Sequence, residues 1–191
     1  APPILDDVRL GGIHFTGSTY VFSTIWLAIG SDIRKYVAYP RIVGETGGKD
    51  FIFAHSSSDI EALVTALVRG AYEYQGQKCS AASRAYIPDS IWPEVKEQML
   101  GRIGEIKMGD VADFSTYMGA VIDAKSFATI KEYIEYARNS ADMDIIVGGG
   151  CDDSKGYFIE PTIVVSKEPK SKLMAEEIFG PVLTLHVYPE G

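Results

Sequence analysis

Cysteine is scarce in this chain. The two present, Cys79 and Cys151, lie far apart, too few for a disulfide framework and in keeping with a reducing compartment. The three histidines, His14, His55 and His186, share no metal-ligand spacing, so no metal site is expected and each is read as a strand-face residue. No stretch approaches the roughly 18 uninterrupted apolar residues of a membrane-spanning helix. Positive charge is also short. Eighteen Lys and Arg against 26 Asp and Glu give a net charge of −8, which argues against a nucleic-acid binder held by phosphate contacts. The opening APPILDDVRLGG carries two acidic residues and lacks the basic start and apolar centre of a signal peptide. Internal repeats and low-complexity tracts are absent.

What is present suffices for one substantial domain, or one domain plus a piece of a second: 191 residues, 46% of them hydrophobic. The run IHF (13–15) stops at TGST, and residues 19–37 are rich in helix-compatible types, a strand–turn–helix pattern. In AYPRIVGETGGKDFIFAH (38–55) two apolar runs flank a glycine-rich centre. Ser58 and Glu61 have capping-box spacing. Behind them Ile60, Leu63, Val64, Leu67, Val68 and Ala71 recur on one helical face. RAYIP (84–88) reads as a strand, followed by a helix capped by Asp89 or Ser90 with Ile91, Val95, Leu100 and Ile103 inward. Asp123 caps a further helix bearing Phe127, Ile130, Ile134 and Ala137. DIIVGGG (144–150) is a strand with a glycine exit, and GYFIEPTIVVS (156–166) a strand with an edge or bulge at Pro161. KEPKSKLMAEE (167–177) reads as a solvated loop and helix start, and PVLTLHVY (181–188) as a last strand. Strands alternating with helices predict an α/β layered fold with a mostly parallel sheet. A chain that opens on a strand–turn–helix unit and stops just after a strand is expected to be a fragment of something longer.

Four short stretches can carry chemistry. In YEYQGQKCSAASRAYIP (72–88), Cys79 sits in a polar break that Gly76 allows to turn tightly. It is either a nucleophile on display or a small residue filling a turn. ETGGK (45–49) places Glu45 at the end of an apolar run, where it is either a general base or an exposed loop acid. Lys49 beside it is a tethering cation or a surface residue. FTGST (15–19) puts Gly17, Ser18 and Thr19 at a helix start, where backbone N–H groups bind phosphate, although it lacks the full G-x-G-x-x-G fingerprint. EEIFGPV (176–182) sets Glu177 two residues before Phe179 in an aromatic–Gly–Pro turn, and is either a functional turn or simply a helix end running into a strand. Cys151 in GGGCDDSKG reads as structural.

The order of these stretches resembles the aldehyde dehydrogenase superfamily. PRIVGETGGKDFIFAH, YEYQGQKCSAASRAYIPDSIWP, AVIDAKSFATIKEYIEYAR and GGGCDDSKGYFIEPTIV resemble its pyrroline-carboxylate group most closely, over essentially the whole chain. The resemblance implies the last part of a Rossmann-like NAD-binding domain over residues 1–43, followed by an incomplete catalytic domain over 44–191. Carried over by motif, Cys79 is the nucleophile and Glu45 the carboxylate that activates water. Gly17 and Ser18 pack against the pyrophosphate of NAD. Glu177 bonds the nicotinamide ribose with Phe179 as its aromatic neighbour, and Ser80 helps hold the substrate's α-carboxylate. The implied reaction oxidises L-glutamate γ-semialdehyde to glutamate through a cysteine thioester, in proline catabolism. The full-length protein is expected to be a homo-oligomer of the mitochondrial matrix. Another small aldehyde as substrate, or a non-catalytic assembly module, remain open alternatives. Two departures stand out: Phe22 replaces the last glycine of the superfamily's G-S-T-x-x-G turn, as a bulky residue does in the pyrroline-carboxylate group, and Thr46 replaces a leucine common elsewhere.

The same resemblance places the side-chain oxyanion donor, the earlier cofactor strands and the rest of the substrate loop outside these residues. The 191-residue chain by itself is therefore expected to show almost no NAD-dependent aldehyde oxidation, since one lost oxyanion donor alone costs about 10²–10³ in rate. NADH formation by the purified chain checks this, and turnover near that of an intact enzyme would refute it.

Overall fold

Two compact units, residues 1–48 and 49–191, divide the chain. They are seen in a computed structural model that describes residues 2–190.

The first unit holds a single turn α1 (Pro2–Leu5), strand β1 (Gly12–Thr16), helix α2 (Thr19–Gly30), a 3-10 turn (Ile33–Lys35) and strand β2 (Arg41–Glu45). β1 and β2 are parallel, with Gly12 opposite Arg41 and Thr16 opposite Glu45; α2 is the crossover that parallel pairing demands. Ser18 caps α2 by accepting from the Val21 N–H at 3.2 Å. The helix expected over 19–37 ends early, at Gly30. The Ser31 N–H closes onto Leu27 O at 2.9 Å, and Asp32 leaves helical geometry with φ −142° and ψ 56°. Tyr36 is then buried with Ile25 and Ile29, its hydroxyl donating to Leu5 O at 2.7 Å. A continued helix would carry that ring away from its acceptor.

Phe22, the bulky residue in the helix-start turn, is absorbed by aromatic stacking. Its ring lies 6.0 Å from Phe15 and 5.6 Å edge-on from Trp26. It also presses on Gly44 of β2, where a Cβ would overlap the ring. A large side chain on the helix is matched by none on the strand.

The second unit is built on a five-stranded sheet in the order β3-β4-β9-β8-β5. Its elements are β3 (Asp50–Phe53), α3 (Ile60–Tyr72), β4 (Ala82–Pro88), α4 (Trp92–Gly104), α5 (Ala124–Arg138), β5 (Met143–Val147), the ribbon β6 (Cys151–Asp152) and β7 (Phe158–Ile159), β8 (Thr162–Ser166), the short α6 (Lys172–Ala175) and β9 (Val182–Tyr188). β3, β4, β9 and β8 run parallel and only β5 is antiparallel, as the alternating pattern predicts. Side chains of successive strand residues serve opposite faces. Ala85, Ile87, Ile163, Leu183 and Leu185 meet α3 and α4, while Val164 and Val182 meet α5.

The apolar stripes fall where periodicity places them: Leu63, Val64, Leu67, Val68 and Ala71 of α3 are buried, and so are Phe127, Ile130, Ile134 and Ala137 of α5. Asp123 caps α5, accepting from the Ser126 N–H at 2.7 Å. Other expectations give way. The cap of α3 is Asp59, accepting from Ala62 N–H at 2.8 Å, whereas the Ser58 hydroxyl accepts from His55 N–H. Neither Asp89 nor Ser90 caps α4; both bond Glu190 instead. Met99, not Leu100, fills the inner face of that helix. The strand expected over 156–166 is two strands in different sheets. Pro161 lies between them, and β8 is flanked on both sides rather than lying at an edge. His14 and His186 lie in strands, but His55 follows β3 and bonds Ser57.

The Phe22–Gly44 fit yields a test. Gly44→Ala should destabilise the first unit by about 1–3 kcal/mol through overpacking, and Phe22→Ala in the same chain should cancel much of that loss. Urea unfolding followed by Trp26 fluorescence in a Trp92→Phe background reads it. Additive losses in the double variant would mean that the two residues do not oppose each other.

Candidate active site

The route from α3 to β4 determines where Cys79 goes. After Tyr72 the backbone makes three successive left-handed residues: Tyr74 at φ 54°, Gln75 at φ 57° and Gly76 at φ 65°. The two that are not glycine cost roughly 1–2 kcal/mol each. Gly76 admits no substitute, because a Cβ would overlap Gly180 O and come 2.7 Å from Ala71 O. The chain then turns through Lys78, with Ala81 N–H donating to Lys78 O at 3.0 Å, before β4 begins. Cys79 and Ser80 lie on the outside of this turn and both are exposed. Lys78 is held by Glu73 at 2.9 Å, and that hydrogen bond lowers the Glu73 pKa.

A second turn lies against the first. Glu177, exposed, leads through buried Ile178 to Phe179, a non-glycine residue at φ 57°, and then to Gly180. Besides the Gly76–Gly180 approach, the Gln77 side-chain amide donates to Phe179 O at 3.3 Å and accepts from Ile122 N–H at 3.0 Å. Gln75 donates to Ala120 O at 3.1 Å and accepts from Gly119 N–H at 3.4 Å. Sequence reading singled out neither glutamine. The only local signal was the polar Q-G-Q in a break between apolar elements.

Two cations lie behind these turns. Arg84 donates to Met174 O at 3.1 Å with its guanidinium 5.7 Å from the Phe51 ring centre. Lys49 Nζ and Arg84 Nε are buried without hydrogen-bond partners. Burial, then the charge of Arg84, pushes the Lys49 pKa down to about 8 against the pull of Glu177 and Glu176. Glu176 accepts from the Tyr133 hydroxyl at 2.7 Å. Lys49, Cys79 and the Glu177–Phe179 turn precede β3, β4 and β9, three parallel strands. All three therefore belong to the edge where those strands begin.

In the first unit, Gly17, Ser18 and Glu45 lie where parallel β1 and β2 end. The Gly17 N–H donates to Glu45 O at 3.1 Å. Gly17, Ser18 and Thr19 are exposed at the start of the 12-residue α2, and the Glu45 side chain is exposed. A helix start of that length with free access fits an anionic group such as a pyrophosphate, and an exposed carboxylate at Glu177 fits a pair of sugar hydroxyls. Among the described residues no three His, Cys, Asp or Glu are grouped to hold a metal, and no helix is long and apolar enough to cross a membrane. Both cysteines are free, and Cys151 is half-buried against the α5 core.

Comparison with known proteins agrees with the motif order. Residues 1–190 match the aldehyde dehydrogenase family. The chain belongs to that family. It is 53% identical over 189 residues to the mitochondrial delta-1-pyrroline-5-carboxylate dehydrogenase of Danio rerio, which covers 98% of this chain and 34% of the relative. With the Homo sapiens protein of the same description it shares 52% over 188 residues, 98% of this chain and 33% of the relative. The crystal structure of the Mycobacterium tuberculosis Delta-pyrroline-5-carboxylate dehydrogenase bound with NAD superimposes with a TM-score of 0.90 at 49% identity, over 97% of this chain and 34% of that one. The chain thus spans about a third of the length of the curated relatives it matches.

Lys49 gives a pH test. The unfolded chain keeps its lysine proton up to the ordinary 10.5 and the folded chain only to about 8. Between those values the unfolded state binds more protons, so the contribution of Lys49 to stability rises with pH across that window. Wild type should therefore gain stability on Lys49→Met as pH rises from about 8 toward 10 in urea unfolding. A difference that stays constant would show that the ammonium is solvated in the fold.

Proposed function

We propose that this chain is part of an NAD-dependent aldehyde dehydrogenase that oxidises L-glutamate γ-semialdehyde to glutamate through a thioester on Cys79. The observation that carries the reading is an exposed thiol on a strained turn bolted to the turn of Glu177 and Phe179, in a chain about half identical to pyrroline-carboxylate dehydrogenases. Residues 1–43 are read as the end of the NAD-binding domain and 44–191 as much of the catalytic domain.

In this reading the Cys79 thiolate bonds to the aldehyde carbon and leaves an oxyanion, to which the Cys79 backbone N–H is the donor available in this chain. NAD, when bound, accepts the hydride released from that carbon. Glu45 takes a proton from water, the resulting hydroxide adds to the acyl carbon, and the C–S bond breaks to restore the thiolate and release glutamate. Ser80 donates to the substrate's α-carboxylate, a bond worth about 1.5–3 kcal/mol to a charged acceptor. Gly17, Ser18 and the start of α2 hold the pyrophosphate, Glu177 accepts from the nicotinamide ribose hydroxyls, and Phe179 borders them. Homo-oligomeric assembly and a mitochondrial matrix location, in proline catabolism, complete the proposal; the curated animal relatives are described as mitochondrial.

In the full-length protein, Cys79→Ala should lower NADH formation from glutamate γ-semialdehyde by about 10³-fold or more. Unchanged activity would refute the role of this thiol. Faster oxidation of propanal than of glutamate γ-semialdehyde would move the assignment to another aldehyde.

A further inference from the structure

Gln77 occupies a position that neither the nucleophile nor the cofactor-side residues share. Its amide is satisfied at both ends by separate segments: Nε2 donates to Phe179 O at 3.3 Å, and Oε1 accepts from Ile122 N–H at 3.0 Å. Rotating the side chain breaks both bonds together. Gln75, two residues earlier, spends both ends of its amide on one segment, Gly119 and Ala120, and so anchors the loop without bridging it to the second turn. The two turns joined by the Gln77–Phe179 bond are each left-handed at non-glycine residues, Tyr74 and Gln75 in the turn that carries Gln77 and Phe179 in the other. Such turns keep their geometry only when surrounding contacts over-determine it. The Gly76–Gly180 approach fixes how close the turns come. The Gln77 bond adds a directional tie on the Cys79 side of that contact.

We propose that Gln77 is a positioning residue that sets the spacing between the Cys79 thiol and the Glu177–Phe179 turn, and with it the alignment for hydride transfer. The inference rests on the function proposed above. Hydride transfer needs donor carbon and acceptor aligned at close range, and a displacement of about 1 Å can cost on the order of 10²-fold in rate. Thiol reactivity toward a small alkylating agent has no such requirement. Loss of the tie therefore slows one and spares the other.

The discriminating variant is Gln77→Glu, which keeps an acceptor for Ile122 N–H and removes the donor to Phe179 O. Gln77→Met, similar in size, removes both bonds. In the full-length protein, Gln77→Glu is expected to slow NADH formation from glutamate γ-semialdehyde by about 10–100-fold. A primary deuterium isotope effect on the aldehyde hydrogen should grow, while iodoacetamide alkylation of Cys79 stays within about twofold of wild type. Gln77→Met should behave alike, with an unfolding midpoint near wild type. NADH formation within about twofold of wild type in both variants overturns the inference. So does a parallel fall in alkylation and NADH formation, which would mark Gln77 as a general support of the loop. Wild-type protein that forms no NADH, or Cys79→Ala as active as wild type, overturns the proposed function itself and this inference with it.

Discussion

The contact between Gly76 and the Gly180 carbonyl is the constraint on which the second unit's site depends. α3 is fixed by its buried stripe and β4 by the sheet, so the chain between them must reverse within a few residues. The left-handed run at Tyr74, Gln75 and Gly76 does this, and only a residue without a Cβ lets the reversal lie against the Glu177–Phe179 turn. The conformational cost falls on Tyr74 and Gln75. It is offset by the stripe that delivers them, each buried aliphatic side chain of α3 contributing about 1.5–3 kcal/mol.

The sheet then decides which residues can meet. Open parallel sheets commonly bind ligands where their strands end, and the candidate residues Gly17, Ser18 and Glu45 of the first unit lie at such ends. The second unit departs from it, with Lys49, Cys79 and the Glu177–Phe179 turn at the starts of β3, β4 and β9. Residues more than a hundred positions apart reach the same sheet edge because three parallel strands begin there. Lys49 lies at this end of the sheet, where burial and the charge of Arg84 disfavour its ammonium and Glu177 and Glu176 favour it.

Phe22 shows how a departure from a family motif is accommodated. A ring in place of glycine at a helix start needs room, and Gly44 supplies it on β2 while Phe15 and Trp26 hold the ring. The change is invisible as a pair in the sequence, where the two residues are separated by the whole of the crossover. It becomes one packing decision once β1 and β2 align in parallel.

Periodicity and capping chemistry are properties of neighbouring residues, and they were legible in the chain. The stripe from Leu63 to Ala71, the Asp123 cap with its helix, the α/β alternation and the order E-T-G-G-K, G-Q-K-C, E-I-F-G-P all stand in the text of the sequence. Local competition was harder to read. Asp59 displaced Ser58 as a cap, Tyr36 drew the chain out of helix beyond Gly30, and Pro161 split one apolar run between two sheets. The ties of the candidate site lay wholly outside local pattern. Gln77 finds Phe179 at a separation of 102 residues and Gln75 finds Ala120 at 45, and an amide with two bonding ends carries no mark of which carbonyl it will meet. Sequence chose the reactive residue types and the elements that carry them. Tertiary structure decided which turns touch, because close backbone contact depends on partners that only the assembled sheet brings within reach.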